Sequence, residues 1–481
     1  MGPSSSISSV RSLAVLFALG LGILLPWNIV LTQVGFLKSF VGASSSCLAF
    51  YVSISFSLPL LPATYFALVA TSRVPLKIRI LGSYGAQVLL LFSLLLVERA
   101  GGLGFLLCVV VLVSSFTVLM QSSLYGYAST LSPELTRALV IGQGSTGLIA
   151  SAIQFLTQII AATTSTTASS SDDDDNNNDD STAATGGDWA AAIASSSLGA
   201  ILVLAGAVGF YWLFSLSEDS TPTTRLSVPE SPKKSSRLLS GSMSSPPGSP
   251  RHRDLLLPPC TLPASTLSPS ASSSSLSSIA APTTTTLEMK PLLLVQNYDD
   301  ENGEYENPRT TIEILRSESW MSITALFLTL FVTMLVFPGV LLNLQYKGGF
   351  GALKDDDTWW PVLLLLFYNA SDCVGRFLPS LVEGFFSFQL SDSQLLGIAI
   401  SRFLLVPLLI TNLPDMVSVL CAIVLGFTNG FLQLETLIAV PQRTRPNERE
   451  KIGTLLSATI NVGIVIGSCV ALALSPQECS L

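Results

Sequence analysis

Eleven stretches of mostly apolar residues, each long enough to cross a bilayer, dominate this chain and leave it few ways to fold. A helix needs roughly 20 apolar residues to span the hydrocarbon core. The runs 13–37, 47–70, 80–97, 103–127, 138–162, 189–213, 323–344, 360–381, 395–413, 416–440 and 452–474 meet or approach that length. The expected fold class is therefore an all-α polytopic membrane protein with eleven transmembrane helices. Composition agrees: hydrophobic residues make up 49% of the 481 and charged residues only 12%, about half the soluble share. The first run is read as the first span rather than a signal peptide, because it is long and no small-residue cleavage site follows.

The polar stretches divide the chain. Residues 1–214 form an N-terminal six-helix half, interrupted at 163–188 by an acidic, low-complexity segment expected to be a disordered external loop. Residues 215–318, rich in Ser, Pro and Thr, are expected to be a disordered cytoplasmic linker, and residues 319–481 form a five-helix half. A split into two helical halves suggests packing around a cavity at the membrane midplane. With the N-terminus cytoplasmic, the inside segments carry Arg11, Arg73, Lys77, Arg79, Arg137, Arg443, Arg445, Arg449 and Lys451. The outside segments carry only Lys38, Arg99, Lys347 and Lys354. That bias predicts a cytoplasmic N-terminus and an extracellular C-terminus.

Composition excludes several functions. No basic patch is interleaved with aromatics, so nucleic acid is not an expected partner. The single histidine, His252, lies in the polar linker, and no HExxH occurs, which removes histidine catalysis or a histidine metal site within the membrane. The seven cysteines lack CxxC spacing, and most fall in apolar runs, where small buried thiols are the expected state. No cofactor or metal is implied.

Against this background two charges stand out in the eighth run. Asp372 and Arg376 sit four apart near its middle. Each costs at least ~2.5–3.5 kcal/mol to insert, so an intramembrane pair marks a functional site by default. The spacing puts both on one helix face, turned toward protein or water rather than lipid. The alternative is an ion pair that only ties helices together. The sequon Asn369-Ala370-Ser371 lies inside the same span, beyond a glycosyltransferase's reach.

The first run reads Pro26-Trp27-Asn28, and the eighth Phe367-Tyr368-Asn369-Ala370-Ser371-Asp372-Cys373-Val374-Gly375-Arg376. With Arg79-Ile-Leu-Gly-Ser83, Gln121-Ser-Ser123-Leu-Tyr-Gly126, Gly142-Gln-Gly144 with Gly147, Val336-Phe-Pro338, Arg402 with Val406-Pro407, Asn429-Gly430, and Gly453, Gly463 and Gly467, these resemble the signatures of the equilibrative nucleoside transporter family (solute carrier family 29). The matches touch nearly every span in order; the extended loops match nothing. The resemblance implies a 6+5 arrangement like that of the major facilitator group. It further implies facilitated movement of nucleosides or nucleobases by alternating access, without covalent chemistry.

The resemblance makes Asp372 and Arg376 ribose contacts. A carboxylate accepts from hydroxyls and a guanidinium donates to oxygens, so the pair suits a neutral diol. It places Gln121 at the base, whose edge an amide can match in both directions; a helix-to-helix hydrogen bond is the other reading. Trp27 is a candidate stacking partner for the base, or an ordinary packing residue. Pro26 is expected to bend the first helix, with Asn28 satisfying the freed carbonyl. Leu24, Leu31, Ser123 and Asn369 are lesser substrate-side candidates. Gly142, Gly144, Gly147 and Gly375 are assigned to close helix packing or gating. Arg402 and Glu435 are expected at similar depth, either pairing to help close the cytoplasmic gate or lying apart, with Arg402 snorkelling to the surface and Glu435 protonated. The resemblance does not extend to blocker sensitivity, because Thr117 stands where the family pattern often has Gly.

Facilitated nucleoside transport leads; proton-coupled nucleoside or nucleobase transport on the same scaffold is its alternative, suggested by a protonatable Glu435. An intramembrane enzyme lacks a nucleophile–base pair or metal cluster. A receptor role leaves the buried charges without a purpose. The expected partners are a nucleoside or nucleobase, the bilayer and, under the alternative, protons. The expected location is the plasma membrane, and oligomeric state is unspecified.

Overall fold

In this computed structural model, the described residues are 3–34, 37, 47–71, 73–97, 102–168, 180–219, 313, 319–348, 359–382, 390–411 and 414–474. Eleven helices among them are long and apolar enough to cross a membrane. In chain order they are α1 Val10–Thr32, α2 Leu48–Val69, α3 Leu76–Leu96, α4 Leu103–Ser129, α5 Pro133–Thr157, α6 Ala192–Trp212, α7 Trp320–Asn343, α8 Trp360–Leu381, α9 Asp392–Ile410, α10 Asp415–Arg443 and α11 Pro446–Ala473. Hydrocarbon cannot satisfy a free N–H or C=O, which is why each apolar run resolves as helix. All eleven belong to one compact unit, residues 1–220 with 293–481; the remaining stretch, 221–292, falls wholly outside the described residues, as does nearly all of the 215–318 linker.

The expected loop at 163–188 is shorter than its composition suggests. The α5 helix continues to Ala168, and the α6 helix begins at Asp180 and runs to Asp219. Alanines at 161, 162, 168, 183 and 184 favour continuation of a helix already nucleated by an apolar run. Only 169–179 lies outside the described residues.

Proline sets most of the irregularities. In α2 the helix stops at Ser57 and restarts at Leu60, around Pro59. The regular part of α7 ends at Val336, just before Pro338, and a 3-10 turn follows at Leu341–Asn343. In α9 a 3-10 turn over Arg402–Leu404 lies four residues before Pro407, whose missing N–H and ring bulk disturb that turn.

Packing is tightest where small residues face backbone. Helix α1 lies along α5, α8 along α10, and α7 along α11; α5 and α8 also meet directly. At Gly142 a Cβ would strike Phe17 O of α1, and at Gly375 it would strike Phe427 O of α10. Gly463 and Gly467 present their faces to the α7 carbonyls of Phe327 and Phe331. Helices α3, α6 and α9 are the least buried and form the periphery. The other eight surround an interior cavity.

Candidate functional site

The cavity, about 80 Å³, is lined by α1, α2, α4, α5, α7, α8, α10 and α11. Its polar wall comes from α8, where Asn369, Asp372 and Arg376 recur at helical spacing and fall on one face. Asn429 and Gln433 of α10 stand opposite at the same i, i+4 spacing. Two aromatic pairs close the sides: Trp27 stacks on Phe56 at 3.9 Å between ring centroids, and Phe337 on Tyr368 at 4.6 Å.

Asp372 and Arg376 form the expected pair, with Arg376 Nε 3.0 Å from Asp372 Oδ2. They are 6% and 2% exposed. Neither charge depends on the other alone. Arg376 Nη2 also donates to Gln433 Oε1 at 3.2 Å, and Nη1 to Val140 O of α5 at 3.3 Å. Asp372 Oδ1 accepts from Asn429 Nδ2 at 2.7 Å. A buried pair survives only when its remaining lone pairs and protons are satisfied, and this one recruits α5 and α10 for that purpose. The stem of Arg376 lies against Gly144, where any Cβ would overlap its Cδ and Nε. Gly147 is filled in the same way by the Asn369 amide, which also donates to Ser151 Oγ at 2.7 Å.

Of the nine substrate-side candidates, Leu24, Trp27, Asn28, Gln121, Asn369, Asp372 and Arg376 line this cavity. Gln121 Nε2 lies 3.5 Å from Ser457 Oγ of α11, a long contact that leaves the amide available. Two candidates lie elsewhere. Leu31, one turn past Trp27, is packed in the apolar core. Ser123 accepts from Arg79 Nη1 at 3.0 Å and donates to Leu119 O; two residues from Gln121, it is turned away from the face that Gln121 presents to the cavity. Asn28 is on the cavity, but its amide reaches Leu24 O at 3.0 Å and Thr146 Oγ1 at 2.9 Å, not the Gly22 carbonyl that Pro26 leaves without its helical donor. Asn28 therefore ties α1 to α5.

The expected Arg402–Glu435 gate is not formed. Arg402 is 2% exposed and donates to Thr329 O, Thr333 Oγ1 and Leu425 O. Leu425 and Glu435 are ten residues apart on α10, about 15 Å along a helix axis. Helix α10, with 29 residues, outruns α9, with 19, so equal counts from their ends are not equal depths.

Several cavity residues were not among the substrate-side candidates: Phe56, Thr146, Thr333 and Gln433, with Phe337 and Asn429, which entered only as parts of the family motifs. Asn429 and Gln433 carried a usable signal. Two amides four apart in an apolar run obey the logic that singled out Asp372 and Arg376. Phe56 and Phe337 carried none, since an aromatic in an apolar run is indistinguishable from packing.

The model of the nucleoside transporter family matches residues 107–170 and 279–475. Equilibrative nucleoside transporter 2 of Rattus norvegicus is 24% identical over 487 residues, covering 94% of each chain. Its Homo sapiens counterpart is 24% identical over 498 residues, again with 94% of each covered. Equilibrative nucleotide transporter 6 of Arabidopsis thaliana is 29% identical over 178 residues, 36% of this chain and 40% of that one. Among solved structures, a proton:xylose symporter of the major facilitator superfamily superimposes with a TM-score of 0.48 at 11% identity, covering 98% of this chain and 89% of that one.

Proposed function

We propose that this chain, which belongs to the nucleoside transporter family, carries nucleosides down their gradient and holds them in the cavity beside Asp372 and Arg376. The observation that carries the site assignment is a buried, hydrogen-bonded ion pair on the wall of an interior cavity reached by eight helices. Asp372 accepts from ribose hydroxyls and Arg376 donates to ribose oxygens, while Gln121 addresses the base edge and Trp27 with Phe56 supplies an aromatic face.

The cavity volume bears on mechanism. Sites for small ligands run from about 300 to 1,000 Å³, several times the 80 Å³ here. A nucleoside enters only when the helices move apart, as alternating access requires. Packed contacts stand on both sides of the cavity. Toward one end, Ser129 Oγ of α4 donates to Arg449 O at the start of α11 at 2.7 Å. Toward the other, Phe50 of α2 abuts Gly339, beyond α7's regular part.

The proposed arrangement is six plus five helices with a cytoplasmic N-terminus and an extracellular C-terminus, in the plasma membrane. Besides the Lys and Arg bias, the disulfide at Cys47 supports it. Disulfides persist in oxidising compartments, and Cys47 sits just before α2, at the end away from the α4–α5 turn.

The test is radiolabelled uptake of adenosine, uridine, thymidine and hypoxanthine, at two pH values, into cells lacking nucleoside carriers. Asp372→Asn should lower nucleoside uptake about ten- to a hundredfold at equal surface expression, the scale of a lost charged hydrogen bond. Wild-type uptake by that variant would reassign the pair to helix packing.

A further inference from the structure

Arg402 is a large buried cation outside the cavity lining, and its place in the structure calls for an explanation. It projects from α9, the least buried helix, into the space between α7 and α10. Its guanidinium donates to Thr329 O at 2.7 Å, Thr333 Oγ1 at 2.7 Å and Leu425 O at 3.2 Å. None of these acceptors is a carboxylate, and Nε has no partner among the described residues. Burying a charge at this depth without a counter-ion is costly, so the contacts must serve something.

The hydrogen-bond chemistry shows what. The Thr333 hydroxyl has one proton; Thr329 O at 2.8 Å and Asn429 Oδ1 at 3.0 Å can accept it, and the Tyr368 hydroxyl, itself a donor, also lies beside it. Left alone, a helical threonine bonds back to the i−4 carbonyl. Here the two lone pairs of Thr329 O face the helical N–H of Thr333 and Arg402 Nη1. Arg402 Nη2 also occupies the Thr333 oxygen as acceptor. The hydroxyl proton is thereby directed to Asn429 Oδ1. That fixes the Asn429 amide with Nδ2 toward Asp372 Oδ1, at 2.7 Å.

We infer that Arg402 is a positioning residue for the substrate site: through Thr333 and Asn429 it sets the direction of a hydrogen-bond relay that orients the Asp372 carboxylate toward the cavity. The inference rests on the reading of Asp372 as a substrate contact. The 3-10 turn at Arg402–Leu404, imposed by Pro407, belongs to the same device because it fixes where the Arg402 stem leaves the helix.

The decisive variant is Thr333→Val, which keeps the shape and removes the proton. It should raise KM for adenosine uptake about tenfold, the scale of one well-placed hydrogen bond, at unchanged surface expression. Thr333→Ser should restore it. Arg402→Gln should raise KM similarly, and Thr333→Val with Arg402→Gln should be no worse than the worse single variant. A role in packing alone would lower the amount of protein at the surface and leave KM unmoved. Unchanged KM in Thr333→Val, or additive effects in the double variant, would overturn the relay. Asp372→Asn in the same assay separates the two claims. Loss of uptake there with a normal Thr333→Val KM defeats only the relay, whereas wild-type uptake by Asp372→Asn defeats the site assignment beneath it.

Discussion

The placement of Arg376 depends on the absence of a side chain one helix away. Its aliphatic stem occupies the space over Gly144, and its guanidinium reaches past α5's backbone to Val140 O, Gln433 and Asp372. A bidentate, planar donor group needs that approach, and no other residue type at 144 leaves room for it. Gly144→Ala should therefore push the arginine off its partners while leaving every charge in the chain intact. Overpacking of this kind costs about 1–3 kcal/mol. If that cost falls on the substrate-competent arrangement, KM for nucleoside uptake rises roughly five- to a hundredfold. Uptake kinetics of Gly144→Ala at matched surface expression check this, and a wild-type KM would show that the arginine has slack the geometry does not reveal.

At the level of the helix, apolar run length located all eleven spans to within a few residues, because lipid permits only a helix or a closed barrel. The polar face of α8 was legible for the same reason: charges in hydrocarbon are too costly to be incidental. What stayed hidden depends on neighbours. Nothing local to Arg402 distinguishes a gate partner from a residue bonded to α7 and to the Leu425 carbonyl of α10, since that choice is made by the relative lengths and offsets of α9 and α10. Ser123 likewise shares a helix with Gln121 but faces Arg79. The proposed helix direction rests on the Lys and Arg bias, and it carries its own prediction. An epitope added at the N-terminus should be reached by antibody only after permeabilisation, and one at the C-terminus in intact cells. The reverse pattern would invert every span and move Cys47, which is disulfide-bonded, to the reducing side.

Across the whole bundle, the cavity is too small for its proposed cargo, so function depends on motion between helices that this conformation holds together. One seam is well placed to test that. Ser57 of α2 and Ser468 of α11 share a hydrogen bond of 2.8 Å, and below it Thr64 accepts from Asn461 at 2.8 Å. These contacts join the N-terminal and C-terminal groups of helices. Replacing both serines with cysteine brings two sulfurs within reach of the 2.05 Å S–S bond after a small rotation of each side chain. If alternating access parts α2 from α11, oxidising Ser57→Cys/Ser468→Cys should abolish uptake and a thiol reductant should restore it. Each single variant should be indifferent to both treatments, which controls for the native disulfide at Cys47. Full uptake with the cross-link formed would show that these two helices move as one body. The opening would then have to occur along another seam, of which the α5–α8 contact at Gly144 and Gly147 is the next in line.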